Sequence, residues 1–178
     1  MKLQAFHIKS KKVKKELNLQ TLINLKPTIE KLIETSFRTI VSNNAVSKKY
    51  KGERIDTAAE YKRLRKLYSQ LQIVKLAIFT ANKKKNSLGV SMQETIFEKS
   101  DLERELSLLQ TLSTQKLTRR DGSVEDAFDF IIEKSTIDSR IIEIEKRISD
   151  IKTAITNFNQ STTMKIVIDE DLDLFKTT

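Results

Sequence analysis

The clearest pattern in the sequence is a heptad repeat of apolar residues in its last third. Between residues 137 and 158 apolar side chains recur in alternating steps of four and three, and charged residues fill most positions between them. This spacing places the apolar residues on one stripe of a helix, and that stripe needs a partner helix of similar length. The sequence predicts a helix over about 125–158. Its stripe, which we expect to be an oligomer seam, consists of Ile137, Ile141, Ile144, Ile148, Ile151, Ile155 and Phe158.

Two further helices carry both a capping signal and an apolar stripe. Asp56 opens a helix predicted over 56–82, where its carboxylate or the Thr57 hydroxyl accepts from backbone N–H groups of the first turn. Ser91 is followed three residues later by Glu94, which is the capping-box spacing, and opens a helix predicted over 91–115. The stripe of the earlier helix again has steps of three and four and consists of Leu64, Leu67, Leu71, Val74, Ile78 and Ala81.

The N-terminal part of the chain predicts two helices separated by a proline. Apolar residues from Leu3 onward favour a helix over 3–25. Pro27 lacks a backbone donor and restricts the residue before it, so we expect a break at this point. A second helix is then predicted over 28–43.

The C-terminal part changes from a helical to a β pattern. Residues 163–168 are rich in β-branched side chains and predict one strand, followed by an acidic tail over 169–178. A single strand needs a partner, which is a hairpin at 116–124 around Asp121-Gly122, a strand of another copy, or an unknown protein. We expect pairing at least partly across a subunit boundary.

These elements predict a mainly all-α fold in one domain, 1–178. The architecture expected is an elongated antiparallel helical bundle or coiled coil of four to five helices with a short C-terminal β-strand. Only three glycines and one proline interrupt the chain, and 32% of its residues are charged, which is typical of long amphipathic helices.

The amino-acid composition limits the cellular locations expected for the protein. The chain has no cysteine, so it has no disulfide framework, and it has no apolar run long enough to cross a bilayer. Its first residues are too soon interrupted by lysines for a secretory signal peptide. We expect a cytoplasmic or virion protein that is not secreted by a signal peptide and does not bind membranes.

No catalytic, cofactor-binding or metal-binding constellation is expected. His7 is the only histidine, which rules out a pair of histidine metal ligands within one chain. The three glycines lie far apart, so the sequence has neither a P-loop nor a dinucleotide fingerprint. The sequence therefore predicts a protein that is not an enzyme and needs no cofactor.

The net charge of +9 makes nucleic acid the main alternative partner. Lysines in loops and near the N-terminus are suited to contact phosphates without reading sequence. The few aromatic residues are not interleaved with them, so no stacking platform is expected. The candidate contacts are Lys11, Lys12, Lys14, Lys15, Lys48, Lys49, Lys51, Lys83, Lys84 and Lys85.

Four short segments of the sequence form a recognisable pattern: the opening Met1-Lys2-Leu3, the segment Asn44-Ala45-Val46, the segment 89–94 and the closing residues 155–163. In these segments the sequence resembles the uncharacterised septicolysin-like family of small helical bacterial and phage proteins. Gln160 stands where the family usually has a tryptophan, and residues 19–30 look inserted. The resemblance implies a similar order of helices and loops and transfers no activity.

The functional hypothesis is a structural or assembly protein that works as a homo-oligomer through its helical seams, for example a phage virion or assembly component. Long apolar stripes and a lone strand both require partners. Other assembly proteins are further candidate partners. Sequence-nonspecific nucleic-acid binding through the lysines is the alternative.

Overall fold

The computed structural model describes residues 11–45, 55–114, 132–172 and 174–175. This part of the chain is mostly helical, with four helices and a two-stranded antiparallel sheet. It divides into two compact units, Met1–Asn82 with Asn159–Thr178, and Lys83–Phe158. The elements are β1 Lys12–Asn18, α1 Leu19–Asn43, α2 Thr57–Asn82, α3 Met92–Thr114, α4 Lys134–Ser161, β2 Thr163–Asp169 and a 3₁₀ turn at Glu170–Leu172.

The helix predicted over 3–25 is wrong for its middle part, because residues 12–18 form a strand. Val13 and Leu17 are four residues apart, which suits a helix face as well as one face of a strand. Pairing with β2 decides between the two. Asn18 ends the strand and caps α1, since its side-chain oxygen accepts a hydrogen bond from Thr21 N at 2.8 Å.

The break predicted at Pro27 is also wrong. Pro27 lies inside α1, which continues to Asn43. Its ring is exposed, while Leu25 and Ile29 on either side are buried. The apolar face is therefore continuous across the proline, and its burial offsets the loss of one backbone hydrogen bond.

The first unit is built on the antiparallel pair of α1 and α2. Thr57 Oγ1 donates to Asn43 O at 3.2 Å at one end, and Lys75 contacts Glu30 at 3.4 Å further along. The predicted stripe of α2 is confirmed, and Asp56 caps the helix by accepting from Ala59 N at 2.9 Å. The core combines this stripe with α1 and β2, and its members include Leu22, Leu25, Ile29, Leu64, Leu67, Leu71, Val74, Ile166 and Ile168.

The second unit contains α3 and most of α4. The capping box predicted at Ser91 is present, with Ser91 N donating to Glu94 and Glu94 N donating to the Ser91 hydroxyl. The final helix begins at Lys134 instead of residue 125 and ends at Ser161 instead of 158. Residues 125–131 lie outside the described part of the chain.

The strand predicted over 163–168 is present as β2, but its partner is different from those expected. All seven residues of β2 pair with β1 of the same chain, from Lys12 opposite Asp169 to Asn18 opposite Thr163. The prediction that the tail pairs across a subunit boundary is therefore wrong for this strand. The hairpin at 116–124 lies outside the described residues.

Candidate assembly surfaces

The heptad stripe of α4 is largely buried within the single chain. Ile137, Ile144, Ile148, Ile151 and Phe158 are buried, while Ile141 and Ile155 are half-buried. One chain thus covers most of the residues expected to form an oligomer seam. Their role between copies stays a prediction, and little of this surface is left for a second copy.

Charged contacts join α3 and α4 beside this stripe. Arg147 Nε donates to Glu98 at 2.7 Å, and Arg140 Nε donates to Glu105 at 2.8 Å. The two pairs are seven residues apart on each helix and run in opposite directions, so the helices are antiparallel. These bonds raise the pKa of both arginines and lower the pKa of the Glu105 carboxyl.

A groove of about 400 Å³ lies between α3 and α4. Leu102 and Ile144 form its apolar part, and Glu98, Arg140 and Arg147 lie along its sides. Both arginines already bind carboxylates across the groove. The arrangement is suited to hold two helices together, because both arginines are bonded to carboxylates of the facing helix.

An exposed row of large apolar side chains follows the outer side of α2. Tyr61, Tyr68 and Leu76 are 55%, 54% and 57% exposed, and Phe79 has a similar exposure. With about 100° of rotation per residue, the four side chains fall within an arc of about 80°. Sequence analysis missed this row because the buried stripe of the same helix is stronger. The seven-residue spacing of the two tyrosines was the available signal.

One side chain of α2 binds the C-terminal part of the outer edge of β2. Gln70 is 3% exposed, and its Nε2 donates to Val167 O at 3.1 Å while its Oε1 accepts from Asp169 N at 3.1 Å. The side-chain amide makes two hydrogen bonds of the kind that a neighbouring strand would make. Gln70 therefore takes the place of a third strand at Val167 and Asp169.

The acidic end of β2 is held by a lysine of α2. Lys66 Nζ contacts Asp171 at 2.8 Å and Asp169 at 3.3 Å, and the hydrogen bond to Asp171 raises the pKa of Lys66. Glu170, between the two aspartates, contacts Lys11 at 2.9 Å. These three acidic residues thus bind basic groups of their own chain.

The free edge of β1 differs from that of β2. The backbone bonds from Glu170 N to Lys11 O and from Leu19 N to Thr162 O mark the hydrogen-bonded pairs of the ladder. Because such pairs alternate with non-bonded ones, Lys12, Lys14 and Glu16 direct their N–H and C=O groups away from β2. The sheet has only two strands in the described part of the chain, so no third strand there reaches these groups.

The lysines predicted to bind nucleic acid differ in their contacts and surroundings. Lys11 pairs with Glu170, and Lys15 Nζ lies 4.4 Å from the centre of the Phe175 ring. Lys12 and Lys14 are exposed on β1. Three further candidates, Lys83, Lys84 and Lys85, are exposed in the turn after α2. The remaining candidates, Lys48, Lys49 and Lys51, lie outside the described residues, as does His7.

The described residues contain no group of three or more histidine, cysteine or acidic residues placed to hold a metal ion. Among their helices, none combines the length and apolar character needed to cross a membrane.

Comparison of the chain with protein-family models, curated proteins and solved structures finds no match. The resemblance to the septicolysin-like family therefore stays a prediction.

Proposed function

We propose that this protein is a non-enzymatic structural or assembly protein that works as a homo-oligomer. Its helices would pack against helices of neighbouring copies to form an extended bundle. The setting that we propose is a phage virion or another assembly of which the protein is a component.

The observation that carries this proposal is the exposed row on α2. Tyr61, Tyr68 and Leu76 lie on one side of a long helix whose opposite side is already buried in the core. A row of aromatic and aliphatic side chains along a rigid helix is typical of an interaction surface, whereas singly scattered apolar residues are normal on monomers. Tyrosine is also enriched among the interface residues that contribute most to the binding energy.

Solution mass at several protein concentrations tests the proposal. We expect a mass that exceeds one chain and rises with concentration, and we expect Leu76→Lys to shift the protein toward the monomer. Ala59→Lys is the matched control, because Ala59 is exposed on the same helix but lies outside the row. A wild-type protein that is monomeric at every concentration would contradict the proposal.

Sequence-nonspecific nucleic-acid binding is a second candidate. The exposed Lys12, Lys14 and Lys165 share one face of the sheet, as the register of β1 and β2 requires. If this face and the lysine turn at 83–85 bind phosphates, affinity falls steeply as salt rises, and replacing Lys83, Lys84 and Lys85 with glutamine flattens the slope. No binding of duplex DNA or RNA at low salt would exclude it.

A further inference from the structure

The two edges of the sheet present a contrast that points to a specific partner. On β2 the outward C=O of Val167 and the outward N–H of Asp169 are both bonded by Gln70. On β1 the outward groups of Lys12, Lys14 and Glu16 meet no strand in the described part of the chain. An open edge is a template for another strand, and two-stranded sheets are marginal without further support.

The charges along β1 make its open edge complementary to a second copy of itself. If two β1 strands run antiparallel with Lys14 opposite Lys14, each Lys12 faces Glu16 of the other copy. All three residues on each strand direct their backbone groups outward, so this register forms hydrogen-bonded pairs at every one of these positions. This register places two lysine–glutamate pairs and one lysine–lysine pair across the interface, so attractive pairs outnumber the repulsive one.

We propose that β1 pairs with β1 of a second copy about Lys14, giving one continuous four-stranded antiparallel sheet. The two-fold axis would run perpendicular to the sheet, so the faces of the two halves coincide. The side chains of Val13 and Lys15 from opposite copies then become neighbours on the face that carries Ile166 and Ile168. The inference rests on the proposed homo-oligomer and assigns one of its interfaces.

The register gives the proposal a position-specific test. The chain has no cysteine, so one introduced cysteine is the only thiol that can form a disulfide between two copies. In the proposed sheet the Cα atoms of the two residues at position 14 are about 5.5 Å apart, within the range that a disulfide bridges. The two residues at position 12 are offset by four residues, about 14 Å along the strand, which is too far.

Three variants are compared under mild oxidation: Lys14→Cys, Lys12→Cys and Glu16→Cys. We expect most Lys14→Cys chains to run as covalent dimers on a non-reducing gel, and few chains of either other variant to do so. A mixture of Lys12→Cys and Glu16→Cys should form a cross-linked heterodimer, because these positions face each other in the register. Circular dichroism of each reduced variant checks that helix content is unchanged.

The outcomes separate this inference from the proposed function. Oligomeric wild-type protein with no excess of cross-linking at position 14 overturns β1 pairing and leaves assembly through the helices. Equal cross-linking at positions 12 and 14 overturns the register by showing random collision. A protein that is monomeric by mass and does not cross-link contradicts both proposals and leaves the edge to a different partner or to none.

Discussion

The two helix pairs of this protein are held together by different kinds of contact, although their sequences carry similar apolar repeats. Between α1 and α2 leucine, isoleucine and valine side chains are buried from both helices. In the pair of α3 and α4 the stripe of α4 is largely buried, but the apolar residues of α3 after Met92 are half-buried or exposed, and arginine–glutamate pairs cross between the helices. A heptad pattern thus predicts which residues share a stripe, but not how deeply that stripe is buried.

The two helix pairs should differ most in the free energy of unfolding that is lost when one leucine of each pair is replaced with alanine. Leu67 is fully buried, so Leu67→Ala should lower the free energy of unfolding by about 3 kcal/mol. Leu102 on α3 is half-buried, and Leu102→Ala should cost about 1 kcal/mol. Urea unfolding followed by circular dichroism measures both. Equal losses would show that the two pairs do not differ in packing.

A smaller loss is expected where α2 closes the sheet edge. Gln70→Ala leaves Val167 O and Asp169 N without their partner in the interior, which should cost about 2 kcal/mol. Gln72→Ala is the matched control, because Gln72 is exposed on the same helix. Hydrogen exchange at Asp169 N should accelerate only in the Gln70 variant. Unchanged exchange in that variant would mean that other groups protect the edge.

Acid should weaken the contact between α3 and α4, because it protonates Glu105. Arg140 holds the pKa of Glu105 below its ordinary value of 4.5. A carboxylate whose pKa is lower in the folded state stabilises the fold. This contribution is complete above pH 4.5 and is lost as the pH falls through the lowered pKa. Glu105→Gln should therefore make stability less dependent on pH in this acid range.

The effect of Glu105 is expected to be modest, because both partners are well exposed to solvent. Thermal unfolding at a series of pH values measures it. Glu145→Gln removes an exposed carboxylate of α4 as the control. Parallel pH profiles for the wild type and Glu105→Gln would contradict a role for this pair.

The smallest expected change has the opposite sign. Ser36 on α1 is fully buried, and its hydroxyl has no hydrogen-bond partner in the part of the chain that the structure describes. Ser36→Ala removes the unsatisfied group and improves helix propensity, so it should stabilise the protein by about 0.5 kcal/mol. A lower melting temperature in this variant would indicate that the hydroxyl has a partner in solution.

Features that depend on nearby residues were predictable from the sequence. The stripe of α2, its cap at Asp56 and the capping box at Ser91 each follow from spacings of three or four residues. The strand β2 was also predictable, since β-branched residues dominate it. The signals for these features lie in the local sequence.

Features that depend on distant residues were not predictable. Val13 and Leu17 fit either periodicity, and the strand that selects between them lies at the other end of the chain. The continuation of α1 through Pro27 depends on core contacts with α2. The amide of Gln70 meets a backbone edge, and a contact of this type leaves no periodic trace in the sequence.

The pairing of β1 with β2 also fixes an order of events during synthesis. β1 leaves the ribosome before all four described helices, and β2 leaves after them. Until then β1 has no partner from β2, so the edge that later pairs with β2 is unpaired in the nascent chain. Contacts between such distant segments form slowly, because a long loop must close first. Two nascent chains on one message would therefore present unpaired β1 strands to each other before either sheet is complete.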